Sequence, residues 1–388
     1  MTITRLGIFL TVISGFALAL FALPAERPVS FILLHTGNAG QHSEAILQSS
    51  FVSGELTREV HSATAVELNN GDIRVFWYGG KREGSKDTAI FSRVFNHGTG
   101  GWSEIHEVIN RQQVNHDTRR YIRKLGNPVA VVKGDELWLF FVSVSVGGWA
   151  GSSINLSVSR DNGNSWGPVR RLISSPFMNI STLVRNAPLL TEQGDILLPA
   201  YHEFLGKFSE LLHIDSRGTV INKYRISHGR EAIQPALLAT GSDSAIAFMR
   251  NTSASNPGKL WFSHTNGHIA DWAPLQPLSL PNPDAAATVV QLDSPGELLL
   301  VFNNHPSERD DITMAWRPSA ESDWQLIHQF EKLDNAEKIH NPFSYPFLLK
   351  TADGNFHLFY SWKRKHIKHV WFNRATLQKM RTSAGKDS

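Results

Sequence analysis

The stretch Ser159-Arg160-Asp161-Asn162-Gly163-Asn164-Ser165-Trp166 has the form Ser-x-Asp-x-Gly-x-Ser-Trp. An aspartate and a glycine at this spacing make a tight hairpin turn, and the tryptophan that follows can pack between neighbouring sheets. Weaker echoes, each a turn usually followed by Trp, occur at Asn96 to Trp102, His213 to Thr219, Ser263 to Trp272 and Arg317 to Trp324. Such a box marks a fold and is not itself an active site. A second set of turns lies between apolar runs: Asn70-Gly71-Asp72, Lys133-Gly134-Asp135, Gln193-Gly194-Asp195, Gly241-Ser242-Asp243, Ser294-Pro295-Gly296 and Ala352-Asp353-Gly354. Each joins two strand-like segments, as Ala63 to Leu68 is joined to Ile73 to Tyr78. The hairpins recur roughly every 50 to 60 residues, and a strand repeat of that period predicts a propeller rather than a sandwich. Six hairpins predict an all-β, six-bladed β-propeller.

Composition sets the limits around that core. The chain has 388 residues, 41% of them hydrophobic and 19% charged, enough to bury a large core. Its formal charge of +3 is too small to imply a nucleic-acid partner. There is no cysteine, so disulfides, thiolate metal sites and a cysteine nucleophile are excluded. Leu6 to Leu23 is an almost uncharged apolar run behind Arg5, ending at Pro24, Glu26, Arg27 and Pro28. It predicts an N-terminal hydrophobic helix over residues 1–27, a signal peptide or a membrane anchor, with the propeller over residues 28–388. The expectation is an exported protein, periplasmic, extracellular or membrane-anchored.

The complete box, its echoes and the order of hairpins resemble the sialidase superfamily, six-bladed propellers with Asp-box repeats, and within it the bacterial BNR-repeat proteins. The resemblance covers roughly residues 58 to 375. It implies a central funnel where arginines hold a substrate carboxylate, a tyrosine is the nucleophile, a glutamate takes its proton and an aspartate is acid or base. Ser344-Tyr345-Pro346-Phe347-Leu348 resembles the last-blade segment, which makes Tyr345 the nucleophile candidate. Arg250, in Ala247-Phe248-Met249-Arg250-Asn251, and Arg309, in Asn303 to Arg309, resemble two triad arginines. Asp87 lies on the loop Gly79 to Asp87, with Arg82, where the acid/base aspartate is expected. Where the family has Arg-Ile-Pro this chain reads His61-Ser62-Ala63, and where the tyrosine's glutamate precedes a proline it reads Gln234-Pro235. An amide cannot be a general base, so Glu203 or Glu231 is expected to supply the carboxylate.

The residues argue alongside the resemblance. A carboxylate beside the anomeric carbon repels a carboxylate nucleophile, so a neutral tyrosine activated by a base suits acidic sugars. The arginine fork of Arg250 or Arg309 suits either a substrate carboxylate or a structural aspartate. His61, His202, His305, His340 and His366 sit near polar strand ends, and His202 beside Glu203 is the most suggestive acid or base. Trp149 and Trp362 fall in or beside Gly-rich or basic loops and are candidates for stacking on sugar. No metal-ligand spacing is present and no cofactor is implied. The expected activity is a sialidase-like exo-glycoside hydrolase acting on terminal, acidic sugars of glycans. The alternatives are a carbohydrate-binding propeller without catalysis, or a histidine-dependent polysaccharide hydrolase or lyase.

Overall fold

The computed structural model describes residues 13–14, 29–33, 44–175, 179–204, 206–227, 229, 231–253, 258–334, 337 and 339–384. The expected leader over residues 1–27 lies outside them, apart from the helical Ile13 and Ser14. Among the described residues, no helix is long and apolar enough to cross a membrane.

Six antiparallel sheets form the six expected blades. Their inner strands are Glu59–Glu67, Lys124–Lys133, the pair Leu183–Val184 and Leu189–Leu190, Ala232–Ala239, Thr288–Gln291 and Phe343–Lys350. Each of the six turns read from sequence joins the inner strand to the second strand of one blade: Ile73–Gly80, Glu136–Val144, Ile196–His202, Ala245–Asn251, Leu298–Phe302 and Phe356–Trp362. The inner strands therefore all run in the same sense, and all begin at the same mouth of the ring.

The ring closes with a strand the sequence did not advertise. Leu47–Phe51 pairs with His366–Phe372, so the last blade takes its outer strand from the start of the domain. All five of its residues are exposed, which leaves no alternation to read. Asn373 fastens the closure, accepting from the Ile46 amide at 3.1 Å and donating to the Glu44 carbonyl at 2.8 Å.

The apolar core is divided into six clusters, each filling the wedge between adjacent blades. Trp138, Phe140 and Leu198 fill the wedge between blades 2 and 3, and Val60, Phe347 and Phe359 that between blades 6 and 1. The box at Ser159 to Trp166 makes the outer turn of blade 2. Asp161 accepts from the Ser165 amide (2.8 Å), the Ser165 hydroxyl (2.6 Å) and the Ser159 hydroxyl (2.7 Å). Trp166 meets Phe76 of blade 1 edge-on at 5.8 Å, as the packing argument expects. Gly163, at φ +89°, lies so close to Arg74 that a Cβ would sit 2.8 Å from its Nε.

Hydrogen bonds led by those of Ser165 hold the Asp161 carboxylate down to about 2. A depressed carboxylate contributes stability above its unfolded value and loses it as pH falls through the folded one. Asp161→Asn is therefore expected to unfold at a lower temperature than the native chain at pH 5 to 7, with the gap closing between about pH 4 and pH 2. Thermal unfolding across that range checks this, and a gap that persists at pH 2 overturns it.

Candidate functional site

Four inner strands carry the same irregularity near their first residues. Register skips two residues between His61 and Thr64, Gly126 and Val129, Ile233 and Ala236, and Ser344 and Phe347. The first skipped residue is left-handed each time: Ser62 (φ +56°), Asn127 (+41°), Gln234 (+55°) and Tyr345 (+57°). A proline follows in three of them, at positions 128, 235 and 346, where its missing N–H removes a ladder bond. A bulge bends the strand and re-aims a side chain, and here Asn127 and Gln234 both reach the Tyr201 hydroxyl. In blade 3 the inner strand breaks altogether between Val184 and Leu189, and Arg185-Asn186-Ala187-Pro188 spans the gap.

Arg185 is the centre of the arrangement. Its guanidinium crosses the ring to the opposite blade and donates to the carbonyls of Tyr345 (2.7 Å) and Pro346 (3.1 Å). It also lies 5.4 Å from the centre of the Tyr345 ring. The side chain is 1% exposed, and its Nε and Nη1 have no hydrogen-bond partner. Burial pulls it down to about 10, and its electrostatic neighbours are the phenols of Tyr345, Tyr201 and Tyr78. No motif points to Arg185, because its partners lie 160 residues away.

A polar chain runs from this floor round blades 2 to 5. Asn127 and Gln234 each donate to the Tyr201 hydroxyl at 3.2 Å. Arg250 donates to the Gln234 side-chain Oε1 at 3.4 Å and, through Nε, to Asp284 at 2.6 Å. Arg309 donates to the backbone carbonyl of Asp284. Burial lowers Arg250, but Asp284 more than restores it, whereas burial and the neighbouring Arg250 lower Arg309. Both guanidinium groups have the Tyr345 phenol as an electrostatic neighbour, which places the three side chains in one cluster. Tyr345 is itself partly open to solvent.

His61 occupies the blade 1 wall. It is 2% exposed, with both ring nitrogens unpartnered by hydrogen bonds, and its ring stands edge-on to Tyr345 at 6.2 Å. Its Nε2 lies 3.8 Å from Glu83 and 3.9 Å from Glu59. Burial lowers its pKa below the ordinary 6.5, although Glu83 opposes this, so the ring is neutral at neutral pH. Arg364, from the turn between the second and third strands of blade 6, reaches Glu83 at 3.7 Å.

The carboxylates divide clearly. Glu203 follows the second strand of blade 3, beside Arg250, Lys207, Asp284 and Lys124, and burial raises its pKa although Arg250 opposes. Asp87 is exposed and accepts the Lys81 amide at 3.0 Å. Burial favours its neutral form, yet hydrogen bonds from Ser85 and Lys81 hold its pKa low. Arg82 on the same loop is exposed, and none of these contacts joins either residue to the cluster. Glu83 is the carboxylate of that loop that faces Tyr78 and His61. Glu231 accepts from Thr252 through its backbone carbonyl at 2.8 Å. His202 does not act with Glu203. Successive strand residues face opposite sides, so His202 turns to Glu210 (2.7 Å) and stacks on Phe208. Among the described residues, no group of three or more His, Asp or Glu is placed to hold a metal ion.

A family model described as a BNR repeat-like domain matches residues 71–358. No curated protein matches the chain. Among solved structures, a protein of unknown function from Dyadobacter fermentans aligns with a TM-score of 0.66 at 11% identity, over 84% of this chain and 99% of that one. The Trypanosoma rangeli sialidase aligns at 0.65 and 11% identity, over 84% of this chain and 56% of its own. The NanB sialidase of Streptococcus pneumoniae aligns at 0.65 and 10% identity, over 91% of this chain and 72% of its own. At such identities the likeness is one of fold.

A buried guanidinium without a carboxylate partner opposes folding, while its two carbonyl bonds favour it. Arg185→Lys keeps the charge and loses the fork, whereas Arg185→Met removes the charge. The expected order of stability is therefore Arg, then Met, then Lys, with Lys below Met by about 1–2 kcal/mol. Thermal or urea unfolding of the two variants checks it, and a Lys variant more stable than the Met variant overturns it.

Proposed function

Since the chain belongs to the BNR repeat-like domain family, we propose that it is a sialidase-like exo-glycoside hydrolase that removes a terminal acidic sugar from a glycan. The observation that carries this reading is the clustering of a partly exposed tyrosine, Tyr345, with Arg250 and Arg309 above the buried guanidinium of Arg185. Arg250 and Arg309 bind the sugar's anionic group, and their positive charge favours attack by the phenol oxygen.

Two departures from the family pattern compensate each other in this reading. Gln234 holds Tyr201 and Arg250 through its amide and takes no proton. His61, which stands where the first arginine is expected, receives the Tyr345 proton instead, and the carboxylates of Glu59 and Glu83 then stabilise the imidazolium. Tyr345 bonds to the anomeric carbon as Glu203 protonates the departing glycosidic oxygen. In the second half, Glu203 accepts a proton from water, which displaces Tyr345, and His61 returns the first proton. A carboxyl whose pKa is raised by burial suits the acid role.

The base must be neutral and the acid protonated, and burial moves His61 down and Glu203 up. Turnover is expected to be bell-shaped and greatest below pH 7. Glu203 sets the alkaline limb, where activity falls as its proton is lost, and His61 sets the acid limb, where the ring becomes charged. The test is hydrolysis of a panel of aryl glycosides with sialic, uronic and neutral sugars. Tyr345→Phe, His61→Asn and Glu203→Gln are each expected to lower kcat by about a hundredfold or more, and Glu203→Gln to remove the alkaline limb. Hydrolysis that survives Tyr345→Phe overturns the nucleophile. Sugar binding without cleavage of any substrate selects the recognition propeller, the reading that Gln234 favours.

A further inference from the structure

Outside the funnel, one sector of the mouth has an unusual charge. The loop after the second strand of blade 1 carries Lys81, Arg82 and Lys86, and the segment leading into blade 2 carries Arg119, Arg120 and Arg123. All six are exposed, and among the described residues none is in an ion pair. The loop's own acids do not neutralise them as a group. Glu83 turns inward to His61 and Arg364, and Asp87 is engaged by the Lys81 amide.

The two segments are one surface. The Leu125 amide donates to Thr88 at 2.9 Å, and a Cβ on Gly84 would come within 3.2 Å of the Lys124 ammonium. Like charges there act on one another: Arg120 adds to the burial that lowers Arg171, and Arg123 adds to the burial that lowers Lys124. Arg119 and Arg120 follow the helix Arg111–Thr118, whose C-terminal end favours cations in any case. That argument does not reach Arg123 or the blade 1 loop. Tyr121, 57% exposed, lies between the arginines as a ring face beside the charges.

We propose that the rim of blades 1 and 2 is a binding tract for an acidic polysaccharide, a chain with repeated carboxylate or sulfate groups whose terminal sugar enters the funnel. It rests on the hydrolase reading only for that terminal sugar. A polymer leaving the funnel has to cross the rim, and a polyanion is drawn to the cationic sector. The tract joins the funnel through Lys124, whose ammonium lies 3.7 Å from the Trp149 ring. This continuity with the cluster of Tyr345, Arg250 and Arg309 selects a glycan over a nucleic acid or a lipid surface. Binding to exposed cations weakens with salt, because the Debye length is about 8 Å at physiological ionic strength.

The experiment measures binding of the full chain to oligogalacturonates and to neutral dextran of matched length by calorimetry at two salt concentrations. A single-stranded DNA oligomer and vesicles rich in phosphatidylserine serve as the other polyanions. The variant Lys86→Ala/Arg120→Ala/Arg123→Ala is expected to bind oligogalacturonate about tenfold more weakly, with a shallower salt dependence. Its melting temperature and its hydrolysis of small aryl glycosides are expected to stay unchanged. Equal binding by the variant, equal binding of dextran, or tighter binding of DNA or vesicles than of oligogalacturonate overturns the tract. If no aryl glycoside is cleaved, the hydrolase reading falls, while the binding arm still decides this proposal.

Discussion

The pairing of Leu47–Phe51 with His366–Phe372 is the constraint on which the remaining structure depends. Each core cluster lies between two blades, so a blade on its own has two unfinished faces. Closure completes the sixth wedge, where Val52 and Ile367 pack with Val60, Phe347 and Phe359. A chain without cysteine has no covalent clasp for this joint. The clasp is a strand, a short helix at Arg374–Ala384 and the side chain of Asn373, which ties residues more than 300 positions apart.

A closed ring points its inner strands at one axis, and the repeated bulge uses that geometry. A left-handed residue stands in the same place on four blades, and three of them meet round Tyr201, with Asn127 and Gln234 bonded to its hydroxyl and Tyr345 an electrostatic neighbour. Left-handed backbone is unfavourable for residues with a Cβ, and outliers of this kind concentrate at functional sites. Blade 3 departs further and gives up its inner ladder at Arg185, which reaches across the axis to hold the Tyr345 bulge. The buried charge is a poor source of stability but an effective way to fix one backbone and bring positive potential beneath one phenol.

How much of this was written locally can be judged residue by residue. The six inner turns and the box at Ser159 to Trp166 were legible because turn chemistry resides in consecutive residues. Tyr345, Arg250 and Arg309 could be singled out one at a time, and the ring brings them together. His202 beside Glu203 was persuasive in one dimension, but strand alternation sends the two to opposite faces. Asp87 was the expected loop acid, while the acid facing the funnel from that loop is Glu83, four residues earlier. Three X-Pro pairs near inner-strand starts were the available signal for the bulges.

The sequence by itself therefore determined the number of blades and the place of their turns, since each is a property of short segments with a fixed period. The tertiary structure alone decided which strand closes the ring, that Arg185 supports Tyr345, that His61 stands edge-on to the same ring, and that the cations of two separate loops form one rim. These relations join residues tens to hundreds of positions apart. They follow from closing six twisted sheets around an axis, a geometric condition on the whole chain that no local pattern records.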